Sequence, residues 1–406
     1  MLDVGTSFCR KCGCVSRGFY YHNSSTHLKV VLKRNAMNKF FVKPIVEKNS
    51  PTFEKVYLNQ NIDKNNTMFY STINVAVGSG NSEQSYPYNR VCPGCGEYLA
   101  NPDIGLVPTY VIAVIGSPGA GKSSWINSIA HDKNLSKINA MVSEHGGYVI
   151  ETEGLQYPCL SKKTDIGEDG CSRLVYITEQ KTAKKVAAVL FMDFSGELFQ
   201  RKHKETFVSG VSSSVFSKSD GYNGVDAVVF LDSADQTEAD AIETKNQLLN
   251  TNLLQTLPVA YILNKIDYCF KTYPETELYN QDRRAPLFTP KTFSATALSS
   301  VSRKDLNSRT KLQTYLAGKM RTTAEEIFRS NRHAKGFLVK TGESRKATTT
   351  EISDYKKKNG NEQESSLTAY AANAHEIWSV IDYSDSINAV DPLLWLLNKI
   401  DIFPIR

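Results

Sequence analysis

The stretch Tyr110-Val-Ile-Ala-Val-Ile-Gly-Ser-Pro-Gly-Ala-Gly-Lys-Ser-Ser-Trp-Ile-Asn-Ser-Ile-Ala130 decides the fold. It opens on an apolar, β-branched run suited to a buried strand, turns through three glycines and continues as a helix-competent segment. Gly116, Gly119 and Gly121 allow a tight bend whose successive backbone N–H groups point inward, the arrangement of a phosphate-cradling P-loop. The expected binding set is Gly116, Ser117, Pro118, Gly119, Ala120, Gly121, Lys122, Ser123 and Ser124. Lys122 is the catalytic cation that reaches the β- and γ-phosphates, and the Ser123 hydroxyl is a magnesium ligand. Pro118 is unusual in such a loop but compatible with it, since few donors are needed before Gly119.

Downstream, Ser172 to Thr178 and Lys185 to Asp193 read as two strands joined by the polar turn Glu179 to Lys184. That link is too short for a parallel crossover, so the two strands pair antiparallel. The second ends on Asp193-Phe-Ser-Gly196, about 70 residues after Ser123. An aspartate there holds magnesium through water, and the Gly196 amide meets the γ-phosphate.

A further strand, Val225 to Leu231, and a polar helix from Thr237 to Leu257 lead to Pro258-Val-Ala-Tyr-Ile-Leu263 and then Asn264-Lys-Ile-Asp267. The Asp267 carboxylate matches the two donors of guanine, N1 and the exocyclic amine, a pair adenine lacks. Asn264 would hold neighbouring loops, and the Lys265 stem would cover the ring face. A second Asn-Lys-Ile-Asp at Asn398 to Asp401 follows Asp391-Pro-Leu-Leu-Trp-Leu-Leu, which reads as a terminal helix, so that copy is a coincidence.

The last base contact is assigned to Ser294 and Ala295 in Phe293-Ser-Ala-Thr296, 27 residues past Asp267. The alternative is that Gly336 to Thr341 forms the last strand and brings its own loop to the base. Two threonines, Thr152 and Thr164, precede the antiparallel strand. Resemblance to GTPases, which carry a switch threonine before this strand, implies that one of them joins Ser123 and Asp193 at magnesium, and Thr164 is preferred. Glu197 stands after Gly196, where its carboxylate accepts a hydrogen bond from the attacking water but adds negative charge beside the γ-phosphate. The stretch 132–170 reads as a long polar loop. Beyond it, 310–332 carries apolar residues at helical spacing, and 342–366 reads as a flexible polar loop.

The ordered series GSPGAGKS, DFSGE and LNKID resembles P-loop GTPases of the translation-factor and Ras-like class. The resemblance covers about half the chain, from Tyr110 to about Ser300. It implies an α/β P-loop fold, a Ras-like mixed sheet with helices on both faces, binding GTP or GDP with magnesium and hydrolysing GTP. With the N-terminal Cys-x-x-Cys pairs, Asp-x-x-Gly-Glu and the closing helix Val390 to Leu397, the chain is similar to the bacterial double-GTPase family. That resemblance implies a protein partner, a second GTPase or effector, and a setting in conflict or phage defence. Two other classes are carried beside it: an ATP-using P-loop enzyme, and a nucleotide-binding scaffold with negligible hydrolysis, hinted at by Glu197.

The eight cysteines are arranged for metal more than for disulfides. Cys9-Arg-Lys-Cys12-Gly and Cys92-Pro-Gly-Cys95-Gly are two knuckles whose four thiolates, Cys9, Cys12, Cys92 and Cys95, would close a structural zinc site, with Cys14 a possible substitute for Cys12. About 80 residues separate the knuckles, and their short β-branched runs read as inserted hairpins. The expected organisation is a β-rich zinc-ribbon domain over 1–105 and a P-loop domain with a helical extension over 106–406. A net charge of +6 over 406 residues does not demand nucleic acid, and none is expected as a partner. No apolar run reaches a membrane span and no secretory signal opens the chain, so the expected compartment is the cytoplasm.

Overall fold

The computed structural model describes residues 6–8, 15–25, 28–34, 40–45, 56–58, 72–77, 84–94, 96, 98, 107–144, 147–152, 171–194, 196, 225–234, 238–249, 253–265, 322–346, 348, 350, 379–384, 386 and 388–402. The chain divides into two compact units. One is Met1–Ile112 with Leu174–Met192 and Glu205–Asp226; the other is Ala113–Arg173 with Asp193–Lys204 and Ala227–Arg406.

Among the described residues of the N-terminal part, the regular elements are strands: β1 (Thr6–Phe8), β2 (Val15–Arg17), β3 (Phe19–His22), β4 (Lys29–Arg34), β5 (Phe40–Ile45), β6 (Val56–Leu58), β7 (Thr72–Val77) and β8 (Gln84–Val91). Six of these form one antiparallel sheet in the order β5-β4-β3-β8-β7-β6. The outer strands β5 and β6 also approach each other, so the sheet curls. Period-two alternation explains its core: Phe19 and Tyr21, then Leu28, Val30 and Leu32, then Ile73, Val75 and Val77, and Tyr88 all turn to one buried face. The Arg90 guanidinium lies 4.5 Å over the Phe19 ring. β1 and β2 make a separate antiparallel pair, with Phe8 opposite Val15.

The remaining elements are β9 (Thr109–Gly116), α1 (Lys122–Ser128), α2 (Asp132–Glu144), β10 (Tyr148–Glu151), β11 (Cys171–Glu179), β12 (Lys184–Asp193), β13 (Ala227–Ser233), α3 (Glu238–Leu249), α4 (Leu253–Thr256), β14 (Val259–Asn264), α5 (Thr322–Ser330), β15 (Ala334–Leu338), β16 (Glu343–Lys346), β17 (Ser379–Asp382) and α6 (Asp391–Lys399). Seven strands form a sheet in the order β10-β11-β12-β9-β13-β14-β15. β13 and β14 are buried along their whole length, as central strands covered on both faces require.

Directions follow from the hydrogen bonds. β13, β14 and β15 pair parallel, with Val228 opposite Val259 and Val259 opposite Ala334. The Asp226 N–H donates to the Val111 carbonyl (2.8 Å), and Gly116 lies against Leu231, so β9 runs parallel to β13. The Ala188 N–H meets the Pro108 carbonyl and the Phe194 N–H the Val114 carbonyl, so β12 also runs parallel to β9. The four-residue turn 180–183 reverses β11 against β12, as the sequence requires. Every parallel strand thus ends at one edge, where α/β sheets hold their ligands.

Three elements depart from the sequence reading. The stretch 132–170 contains helix α2 and strand β10, and 342–366 contains strand β16, paired antiparallel with β17. Helix α2 escapes notice because it buries one narrow line, Asn134, Ile138 and Val142, that starts on a polar residue. β16 is Glu-Ser-Arg-Lys and carries no apolar signal.

At the other end of the sheet, the Asn331 amide donates to the Leu254 and Leu257 carbonyls (both 2.7 Å), tying α5 to α4. Trp395 of α6 packs against Phe337 of β15 at 5.9 Å between ring centres. The second Asn-Lys-Ile-Asp spans the last residues of α6 and its C-terminal turn, with Asp401 at φ 57. It is a helix terminus, as the sequence reading holds.

Candidate functional site

The site is built where β9, β12, β14 and β15 end. Leaving β9, the chain turns with the Ala120 N–H donating to the Ser117 carbonyl (3.2 Å) and enters α1 with the Trp125 N–H on the Gly121 carbonyl (2.8 Å). Gly121 has φ +89, a region L side chains rarely adopt, and a Cβ there would lie 2.5 Å from Asn264 Nδ2. The glycine at this position is therefore fixed twice, by its backbone angle and by its neighbour.

Lys122 is buried and donates from Nζ to the Gly116 and Ser117 carbonyls, each at 3.0 Å. Burial pushes its ammonium down to about 8, a shift that the Asp193 carboxylate partly offsets. The Ser123 hydroxyl donates to Asp193 Oδ2, and Asp193 is almost fully buried at the end of β12. Two hard oxygen donors from sequence positions 70 apart are thus brought together beside the loop. This pair fits a small divalent cation, which Ser123 would ligate directly and Asp193 through water.

Gly196 is buried against the loop. A Cβ there would lie 2.4 Å from Pro118 N, 2.5 Å from Ser117 C and 2.8 Å from the Gly116 carbonyl oxygen. Glycine is the residue that lets the chain after β12 lie directly on the P-loop backbone. Glu197, Thr164 and Asp267 lie outside the described residues, while Thr152 follows β10 and is half-buried.

Asn264 ties the site together. Its Nδ2 donates to the Ala120 carbonyl (3.0 Å), and its Oδ1 accepts from the Thr341 hydroxyl (2.7 Å). Its own carbonyl accepts from the Ala234 N–H at the end of β13 (3.0 Å). Lys265 follows in the left-handed region at φ 55, where the chain turns out of the strand. Asn264 therefore joins the phosphate loop to the loop after β15.

That loop is the alternative weighed in the sequence. Ser294 and Ala295 lie outside the described residues, while β15 pairs with β14 on the side away from β13 and leads to Thr341. Sequence reasoning did not single out Asp232, which is buried at the end of β13. Its carboxylate accepts from the Tyr261 hydroxyl (2.6 Å) and the Ser233 N–H (2.8 Å). The signal available was an aspartate closing an otherwise apolar strand, directly across from Leu263.

In the first unit, Cys92 follows β8 directly and is buried. Its Sγ accepts from the Gly94 N–H (3.3 Å), its carbonyl accepts from the Gly96 N–H (2.9 Å), and Gly96 has φ +76. An N–H turned toward the sulfur and a glycine just past the knuckle are the geometry a metal-binding turn uses. Val91 and Tyr98 bridge across it, just as Phe8 pairs with Val15 across the segment holding Cys9 and Cys12. Cys9, Cys12 and Cys95 lie outside the described residues, and the described residues contain no group of three metal-ligating side chains. No helix among the described residues is long and apolar enough to cross a membrane.

No protein-family model and no curated protein matches the chain. Among solved structures it is similar to an ADP-ribosylation factor-like GTP-binding protein, a small COPII coat GTPase, from Encephalitozoon cuniculi in complex with GDP. Identity is 14% over 58% of this chain and 70% of that one, with a TM-score of 0.26. It is also similar to the septin GTPase domain of Chlamydomonas reinhardtii (13% identity, 43% and 60% coverage, TM-score 0.22). The G domain of the T. maritima FeoB iron transporter is a third (15% identity, 42% and 81% coverage, TM-score 0.21). Likeness of this degree carries no argument about the site, so the functional conclusion rests on the residues.

Proposed function

We propose that this chain is a guanine-nucleotide-binding protein that hydrolyses GTP with magnesium. The observation that carries the reading is the Asn264 side chain, bonded at once to the P-loop carbonyl of Ala120 and to Thr341. It sets Asn264 beside the phosphate loop, and in this reading Asp267, three residues further on, would meet the base of a nucleotide whose phosphates lie on that loop. Lys122 and the loop N–H groups would bind the phosphates, and the loop following β15 would flank the base. Asp267 would select guanine, since adenine would leave its carboxylate short of donors.

Bound at Ser123 and Asp193, magnesium would neutralise charge developing on the phosphate oxygens. The chain's own part would be positioning: Lys122 would hold the terminal phosphates, the Gly196 N–H would meet the γ-phosphate, and Glu197 would accept a hydrogen bond from the attacking water. In this reading the protein switches a protein partner, as the double-GTPase resemblance implies, with Thr164 sensing the γ-phosphate.

Competition binding tests the base: GTP and GDP should displace a labelled guanine nucleotide at least about a hundredfold better than ATP. Equal displacement by ATP would sink the guanine assignment in favour of an ATP-using enzyme. Single-turnover assays test hydrolysis, and a wild-type rate no higher than that of Lys122→Ala would favour a scaffold.

The Cys92 turn supports a second, structural proposal. Zinc held by Cys9, Cys12, Cys92 and Cys95 would fasten the β1–β2 pair to the end of β8. β3 and β8 run antiparallel with Tyr20 opposite Val91, so the start of β3 and the end of β8 lie at one edge of the curled sheet. Both knuckles adjoin that edge in sequence, so a closed four-thiolate site would form across about 80 residues.

A further inference from the structure

Between Thr341 and α6 the chain makes a detour that the nucleotide site as described does not use. β16 leaves immediately after Gly342, pairs with β17 with Glu343 opposite Asp382, and the chain then returns over α1 and α2. Gly342 sits so close beneath β17 that a Cβ would lie 2.3 Å from the Asp382 carbonyl oxygen.

The returning segment is fixed at several of its described residues, 384, 386, 388 and 389. Lys133 Nζ donates to the Ser384 carbonyl (2.8 Å), and the Ser386 hydroxyl donates to Asn134 Oδ1 (3.0 Å). Asn134 Nδ2 in turn donates to the Ser128 carbonyl at the end of α1 (2.8 Å). Trp125 Nε1, in the middle of α1, donates to the Ala389 carbonyl (2.8 Å), and Asn388 Nδ2 donates to the Leu338 carbonyl at the end of β15 (3.2 Å). Trp125 and Tyr383 are fully buried.

The contacts form a closed circuit. From the P-loop it runs through Ala120, Asn264 and Thr341 to Gly342 and β17, then through 383–390 back to α1, which begins at Lys122. The phosphate end and the base end of the site are therefore joined twice, once by Asn264 and once by this segment.

We propose that 383–390 is a clasp that positions the P-loop helix relative to the loop after β15, so that release of bound nucleotide is limited by its detachment from α1. The inference rests on the nucleotide-binding reading of the site. Any nucleotide held at both ends can leave when either end moves, and the clasp opposes that movement without touching the nucleotide. Trp125, Ser386 and Asn388 are accordingly positioning residues.

The test is the dissociation rate of fluorescent GDP from the full chain, chased with excess unlabelled GDP. Trp125→Phe keeps a buried aromatic ring of smaller size and removes the bond to Ala389; Ser386→Ala removes the bond to Asn134 with less demand on the core. Each should speed release about fivefold, and the pair together more than tenfold, while association changes little. Asn331→Ala, which breaks buried bonds at the far end of the sheet, should lower thermal stability and leave release unchanged. The clasp is overturned if Ser386→Ala and Trp125→Phe release GDP at the wild-type rate, or if Asn331→Ala accelerates release equally. Failure of the wild-type chain to retain GDP would overturn the nucleotide reading and the clasp with it, a result separate from retention with unchanged variants.

Discussion

Gly196→Ala places one methyl group where the backbone leaves no room. The new Cβ would stand 2.4, 2.5 and 2.8 Å from Pro118 N, Ser117 C and the Gly116 oxygen. Favourable contact needs about 3.5 Å, so the two segments must separate by about 1 Å. All three obstacles are main-chain atoms and cannot swing aside as a side chain would. The displacement therefore falls on the loop that carries Lys122 and Ser123, or it lifts the Asp193–Gly196 turn away from the γ-phosphate position. A misplacement of about 1 Å at a reacting group costs about a hundredfold in rate. Overpacking of this size lowers stability by about 1–3 kcal/mol.

The assay is single-turnover GTP hydrolysis at saturating magnesium, with denaturant unfolding in parallel to verify that the variant is folded. The rate should fall by about a hundredfold. GDP affinity should change by less than about tenfold, because in the proposed reading Gly196 meets the γ-phosphate that GDP lacks. A folded variant hydrolysing GTP within about threefold of wild type would refute the close approach of Gly196 as a requirement of the site.

Asn264→Ala leaves the buried Ala120 carbonyl and Thr341 hydroxyl without this partner, and GDP should dissociate at least tenfold faster, by about 1–3 kcal/mol for each group left unsatisfied. Lys122 binds fewer protons folded than unfolded between about 8 and 10.5, so the stability of the free protein should rise across that window, and Lys122→Met should abolish the rise in a pH series of unfolding curves. Phosphate contact favours the charged ammonium, so nucleotide affinity, measured by titration at several pH values, should fall above pH 8 by up to about tenfold per unit. Purified wild type should hold about one zinc per chain by elemental analysis, and Cys92→Ser should lose it together with thermal stability of the N-terminal sheet. Tyr261→Phe removes a donor from the buried Asp232 carboxylate and should cost about 1–3 kcal/mol in denaturant unfolding.

Local chemistry was sufficient for much of this molecule. The P-loop, the β11–β12 hairpin, Asp193 at a strand end and Asn264 at the end of β14 each follow from a short apolar run meeting a turn, and such runs are legible within about ten residues. The same rule separated the two Asn-Lys-Ile-Asp copies, because one follows a buried strand and the other closes a helix. The sequence also foresaw strands between the cysteine knuckles, whose alternation turns Ile73, Val75 and Val77 to one face.

What the tertiary structure alone decided is partnership. Two segments satisfy the pattern for the last base-side loop; the parallel pairing of β15 with β14 brings Thr341 to Asn264, while Ser294 and Ala295 lie outside the described residues. Helix α2 and strand β16 carry too little apolar periodicity to be seen locally and are held by contacts with residues far along the chain. The bond from Trp125 to Ala389 spans 264 positions, and no local pattern reports it. Sequence thus determines which residues suit phosphate, metal and base, because suitability is a property of side chain and turn. Which of them meet is fixed by the order of strands in the sheet, because hydrogen bonds between distant segments exist only after that order is set.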